Sequence, residues 1–296
     1  MPHVHPGAQL ERAPGPRYVA RLQFAEIALR APLPRPATLG RWRTSLPEGF
    51  ALALVAPKSS VVSAKGPLRF DDALEAGFAW LCAAADALAA QFVVVPTPAS
   101  LTTGQRDRDL LAAYVERLRA HAPGRTVVWS PTGLWEPDTA QEFATRLGIV
   151  CAFDPLETPA PSVPIAYARL EAIGGRQRFG DPVLRDLADI LDASDAGDIY
   201  VAIASPQSFQ QATRLAQITR DLTPADNDIL EGEDALDDDD ADDDDDDDAD
   251  DADDDDDADD ADDDDDADDD DDADDDDDAD DDDDADDDAD DDDDGD

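Results

Sequence analysis

Seven short apolar runs, each rich in β-branched or aromatic residues, recur along the first two hundred residues, with stretches of helical period between them. They occupy residues 22–27, 50–55, 92–95, 126–129, 149–153, 165–170 and 199–203. The runs are apolar throughout instead of alternating, so both faces of each strand must be covered; that is the pattern of parallel strands flanked by helices. Between them, Leu110, Leu111, Tyr114, Val115 and Leu118 make one apolar helical stripe. Thr139 and Glu142 have capping-box spacing ahead of Gly148, and Asp181-Pro182 and Ser205-Pro206 each read as an N-cap followed by proline at the first helical position. The class is α/β. Neither GxGxxG nor GxxxxGK(S/T) follows any run, which removes the usual argument for an open nucleotide-binding sheet. The expectation is therefore a TIM-type (β/α) barrel, one that lacks its first strand unless residues 1–17, otherwise expected to be disordered, supply it.

The other end of the chain cannot contribute to a core. Residues 237–296 hold 49 Asp, 10 Ala and one Gly, and the apolar pattern already fades from residue 222. Like charges on nearly every residue repel, so 222–296 is expected to be a disordered, salt-sensitive acidic tail. The tail carries almost all of the net charge of −55. Residues 1–220 contain 22 acidic and 22 basic side chains, a neutral folded part. The tail offers no glycine-turned loop with a bidentate closing ligand, so it is not read as a calcium-binding repeat. Basic proteins, or divalent cations held diffusely, are its expected partners.

Several function classes recede on composition. Scattered arginines balanced by acids give no basic patch, so direct nucleic-acid binding is not expected. Residues 77–95 approach the length of a bilayer span but contain Asp86 and run into Pro96; they read as a helix leading into a buried strand, with no membrane role. The first residues hold no apolar run of signal-peptide length, and Cys82 and Cys151 stand alone without a CxxC pair. Both points favour a reducing, cytoplasmic setting with the cysteines as buried fillers.

The string LQFAEIALRAPLPRPATLGRWRTSLPEGFALALVAPK resembles the second strand and following region of the YecE-like family, a TIM-barrel family of unknown function. Glu26, Pro34, Thr38, Leu39, Trp42, Pro47, Gly49 and Phe50 carry the order. FVVVPTPASL, IVCAFDP and IAYARLEA are similar to later segments of that family, so the resemblance covers roughly residues 18–216 and implies a barrel domain over 18–221. The departures fall on polar positions. Ala28 stands where the family has Asn, Val55 where it has Lys, and Glu171-Ala172 where it has His-Gly; the family's first strand has no counterpart before Tyr18.

In a TIM barrel, chemistry sits at the C-terminal ends of the strands. Glu26, Asp154, Tyr167 and Arg169 occupy such ends and match the family pattern. Glu26, Asp154 and Arg169 are the candidate catalytic group, with Glu26 and Asp154 as the candidate ligands of a divalent metal, the one cofactor entertained. Tyr167 and Arg169, with Arg176 and Arg178 in the Gly-Gly-Arg-Gln-Arg loop, are the candidate substrate-binding side chains. The plainer alternative is that Arg169 pairs with Glu26 or Asp154 merely to keep a buried charge satisfied. For His3 and His5 the plain reading is terminal disorder, and for His121 a helix-end cap. Two functions follow: a degenerate binding or scaffold barrel with a polyanionic tail, or a metal-assisted hydrolase or isomerase acting on a sugar or phosphorylated substrate.

Overall fold

The computed structural model describes residues 2–172 and 179–222. In chain order the elements are β1 (His3–Leu10), α1 (Pro16–Val19), β2 (Phe24–Ile27), α2 (Pro36–Thr44), β3 (Ala51–Val55), α3 (Lys58–Val61), β4 (Val62–Ser63), β5 (Gly66–Pro67), α4 (Asp72–Ala87), β6 (Phe92–Pro96), α5 (Gln105–His121), β7 (Thr126–Ser130), α6 (Pro137–Leu147), β8 (Val150–Phe153), β9 (Ile165–Glu171), α7 (Asp181–Asp192), β10 (Asp198–Ala204) and α8 (Ser208–Leu222). Eight strands close into a parallel barrel in the order β1-β10-β9-β8-β7-β6-β3-β2, while β4 and β5 form a small separate hairpin. The architecture is a TIM barrel. All seven apolar runs are strands, with ends displaced by at most two residues.

The first strand is present, and residues 1–17 supply it. β1 seals the ring between β10 and β2, pairing Gly7 with Ala202 on one side and with Phe24 on the other. The expected disorder of this segment, and of His3 and His5 with it, is thus corrected. The reason lies in what the strand faces. Its inward positions are His5, Gly7 and Gln9, and the space they leave is filled from neighbouring strands, so β1 carries no apolar run of its own. A Cβ on Gly7 would lie 2.5 Å from the Phe24 carbonyl oxygen and 2.6 Å from the Phe24 ring; only glycine leaves room for that ring. Tyr18, at the end of α1, then ties the seam. Its hydroxyl accepts from the Ala8 N–H at 2.7 Å and donates to the Phe24 carbonyl at 2.7 Å.

Two apolar layers follow from the strand register. Inside the barrel, Phe24, Phe92, Tyr167 and Tyr200 pack edge-on or tilted, with centroid distances from 4.5 Å (Phe92–Tyr200) to 6.4 Å (Phe24–Phe92). Outside, strand residues such as Leu52, Leu54, Val93 and Val95 meet the helices. The stripe on α5 buries Leu111, Tyr114, Val115 and Leu118 as expected. Residues 77–95 are indeed a helix running into a buried strand, and no described helix is long and apolar enough to cross a membrane. Cys82 and Cys151 are buried and unpaired, and burial pushes their thiols up to about 11 and about 12, which leaves them protonated fillers.

Three helix starts differ from expectation. α6 begins at Pro137 with Glu136 as N-cap, because proline at the first turn fixes the entry and leaves Thr139 inside the helix. α7 has Gly180 as N-cap and Asp181 already helical; Arg214 engages the Asp181 carboxylate instead of the helix amides, and holds it below the usual carboxylate range. At α8, Ser205 does accept from the Gln207 N–H, but the helix starts at Ser208. His121 ends α5 and donates from Nδ1 to the Arg117 carbonyl, a helix-end role.

Six of the seven connections between barrel strands carry a helix. The exception joins β8 to β9 through residues 154–164, where Pro155, Pro159, Pro161 and Pro164 remove the donors a helix would need. The absent helix leaves a groove beside α6 on the C-terminal rim of the barrel.

Candidate functional site

Residues two positions beyond the aromatic layer point into the C-terminal mouth, since side chains of a strand alternate with period two. Phe24 is followed by Glu26, Tyr167 by Arg169 and then Glu171, and Gly7 by Gln9. Glu26 is fully buried. Its Oε1 accepts from Gln9 Nε2 at 2.7 Å and from an Arg169 terminal nitrogen at 3.0 Å, while its Oε2 accepts from the Tyr167 hydroxyl at 2.7 Å. The other terminal nitrogen of Arg169 donates to Ser130 Oγ at 3.1 Å and pairs with Glu171 at 2.9 Å. Its Nε–H has no acceptor among the described residues, although the side chain is only 10% exposed.

The electrostatics of this network fix protonation states. Burial opposes the charge on Arg169, but Glu26 and Glu171 more than offset it, and the guanidinium is held even more firmly protonated than usual. Burial, and then the Glu26 charge, push the Tyr167 phenol well above its ordinary range, so Tyr167 is a hydrogen-bond donor and no base. Tyr18, Tyr114 and Tyr200, the remaining tyrosines of the chain, are shifted in the same direction, chiefly by burial. A phenol whose folded pKa is raised contributes stability that is complete below the unfolded value near 10 and is lost as pH rises beyond it. An alkaline titration should therefore show the phenolate absorbance of Tyr18, Tyr114 and Tyr167 rising together with the loss of native far-ultraviolet dichroism above pH 10, with at most Tyr200, the least buried of the four, ionising before it. Two or more phenols titrating near pH 10 in the folded protein would contradict this packing.

Arg169 also lines a cavity of about 390 Å³ whose polar wall is Ser130, Thr132, Asp154, Glu157, Arg169 and Glu171. The structure thus brings Glu26, Tyr167 and Arg169 into direct contact and places Asp154 at the same mouth, where its carboxylate accepts from the Leu156 N–H at 2.9 Å. Arg176 and Arg178 lie outside the described residues. Of the plainer alternatives, the pairing of Arg169 with Glu26 is realised. Metal ligation by Glu26 does not suit the geometry, because its two oxygens already receive three hydrogen bonds, and among the described residues no group of three His, Cys, Asp or Glu side chains is placed to hold a metal ion. Sequence reasoning missed Gln9, because β1 was not recognised, and Ser130, which ends β7. Glu171 was within reach: it continues the inward period Tyr167, Arg169, Glu171.

Trp129 and Trp135 buttress the rim as anchors, with Trp129 Nε1 donating to Thr97 Oγ1 and Trp135 Nε1 to the Leu101 carbonyl. No family profile and no curated protein matches the sequence. Solved structures do match. A DUF72 family protein of Enterococcus faecalis V583 superposes with a TM-score of 0.52 at 15% identity, over 75% of this chain and 98% of that one. A protein named SacUVDE gives 0.51 at 10% identity, over 75% of this chain and 99% of that one. The likeness is one of fold. It supports a TIM-barrel architecture shared with a DUF72 family protein.

Proposed function

We propose that this chain is a degenerate, non-catalytic relative of the YecE-like barrels, a binding module whose mouth takes a small polar ligand. The observation that carries the reading is the full burial of Glu26 with three of its about four acceptor sites already taken. A general base or nucleophile must have a lone pair directed at the reacting atom. Glu26 instead spends both oxygens on Gln9, Tyr167 and Arg169, and acts as the anchor that holds Arg169 at the cavity wall. The polar positions at which the chain departs from the family pattern, such as Ala28 and Glu171-Ala172, belong to the same region of the fold. The polyanionic segment after residue 222 serves solubility or attraction of basic proteins, an electrostatic role that weakens steeply with added salt.

The test is a thermal-shift panel on the full chain with divalent metals, free sugars and sugar phosphates, followed by product analysis for any ligand that binds. A ligand at a hundred times its Kd adds about 2.7 kcal/mol, which should raise the midpoint of a barrel of this size by about 5–10 °C. The expected result is a shift with a sugar and its recovery unchanged after long incubation. Turnover of that ligand would overturn the non-catalytic reading in favour of a hydrolase or isomerase, and metal-dependent turnover lost in Asp154→Asn would identify it as the metal-assisted one.

A further inference from the structure

The foot of the barrel, at the N-terminal ends of the strands, holds a cavity of its own. It encloses about 370 Å³ between the start of β1, the turn that leads from α1 into β2, and the last turn of α8. Val4, His5, Gln23, Thr219 and Arg220 form a wall that it shares with a second space of about 240 Å³.

Two guanidinium groups, those of Arg21 and Arg220, face the larger space, and no carboxylate is among its described lining residues. Elsewhere the barrel pairs its arginines, Arg30 with Glu11, Arg125 with Asp86 and Arg214 with Asp181. Arg21 has no ion pair among the described residues. Arg220 has none either; one terminal nitrogen donates to the Arg21 carbonyl at 3.4 Å, which brings the two residues to one wall. Asp221, next in the chain, lends its charge to Arg214 instead. His5 lines both spaces as a fixed group, since its ring stacks on Tyr200 with centroids 4.6 Å apart and its Nε2 donates to the Asp198 carboxylate at 3.1 Å. That tautomer leaves Nδ1 open.

Charge and size together select a ligand. Two neighbouring cations without a counterion repel, and an anion that bridges them removes the repulsion. The planar fork of a guanidinium matches the oxygens of a phosphate, so a pair of them favours a dianionic phosphate over a carboxylate. The space is that of a small-molecule site and takes more than a bare ion. Val4, Val19, Leu22 and Ala216 offer apolar wall to an organic body, and Asp192, in the adjoining space, accepts from a hydroxyl.

We propose that the foot of the barrel binds a small phosphate monoester, with its phosphate bridging Arg21 and Arg220 beside His5 and its hydroxyl-bearing part toward Asp192. The bound ester clips the end of α8 to the lead-in of β2 across β1, the strand that closes the ring. The site is separate from the mouth, because Arg169 lies toward the other end of the strands.

The experiment is calorimetric titration of the full chain, at fixed ionic strength, with inorganic phosphate, glycerol 3-phosphate, several sugar phosphates and 4-nitrophenyl phosphate. At least one monoester is expected to bind ten-fold or more tightly than inorganic phosphate. Arg21→Gln and Arg220→Gln, both at exposed positions where substitution leaves the fold intact, should each weaken that binding ten-fold or more. Arg35→Gln, which removes an exposed arginine from the start of α2, should leave it unchanged. An equal loss in Arg35→Gln would reduce the effect to net charge and overturn the site. Binding that persists in both Arg21→Gln and Arg220→Gln, or no binding by any phosphate compound, would overturn it too. Inorganic phosphate matching every monoester would overturn the ester as ligand. Sugars without phosphate test the mouth in the same titrations, so the two readings stand or fall separately.

Discussion

Glu26→Ala is expected to destabilise the barrel by about 3–5 kcal/mol, the cost of taking its buried carboxylate from a buried guanidinium and leaving it only the exposed Glu171. Glu26 is fully buried and Arg169 is 10% exposed, so water cannot reach in to compensate, and the Tyr167 hydroxyl and the Gln9 amide lose their acceptor in the same step. Urea denaturation at neutral pH reads the loss as a lower midpoint with an unchanged slope. The double variant Glu26→Ala, Arg169→Met should be more stable than Glu26→Ala alone, because the second change removes the stranded charge. If the single variant loses less than about 1 kcal/mol, or the double loses the full sum of both, the network is not the anchor described above.

Gly7→Ala is the second large effect. The added methyl must enter at 2.5 Å from a backbone oxygen and 2.6 Å from an aromatic carbon of Phe24, and the oxygen belongs to a strand that cannot retreat without breaking its ladder. Overpacking of this kind costs about 1–3 kcal/mol and occasionally more; with backbone in the way the upper part of that range is expected. Phe24→Leu in the same chain should relieve only the ring contact. Gly15→Ala, with nothing within 4 Å of the added carbon, is the matched control and should be close to neutral. A Gly7→Ala variant as stable as Gly15→Ala would mean that β1 does not sit against Phe24.

These two residues also mark the boundary of what the sequence discloses. Strands β2, β3, β6, β7, β8, β9 and β10 are legible because each is covered on both faces and must be apolar throughout. β1 obeys the same geometry but faces the one sector of the interior already occupied by Phe24, Tyr200 and the Glu26 network, so its inward residues are His5, Gly7 and Gln9, and its hydrophobic signal vanishes. The site behaves in the same way. Glu26 and Arg169 are readable as residues near strand ends; Tyr167, expected there too, lies one layer deeper in β9, and the structure joins it to them through Glu26. Gln9 is invisible until β1 is placed, and the groove beside α6 is invisible because it arises where four prolines prevent a helix between β8 and β9. Thr139 shows a local signal overruled by a stronger neighbour, Pro137.

The seam between β1 and β10 has a temporal meaning as well. Among the eight barrel strands β1 is made before the others and can be enclosed only after β10 has emerged, so until then the growing sheet is open along β1 and along whichever strand was made most recently. Such edges invite pairing with other chains until closure removes them. Any event that trims the first ten residues restores that condition permanently, with β2 and β10 left as facing, unpaired borders. The integrity of a stretch as plain as HVHPGAQL therefore separates a closed ring from a sheet prone to associate.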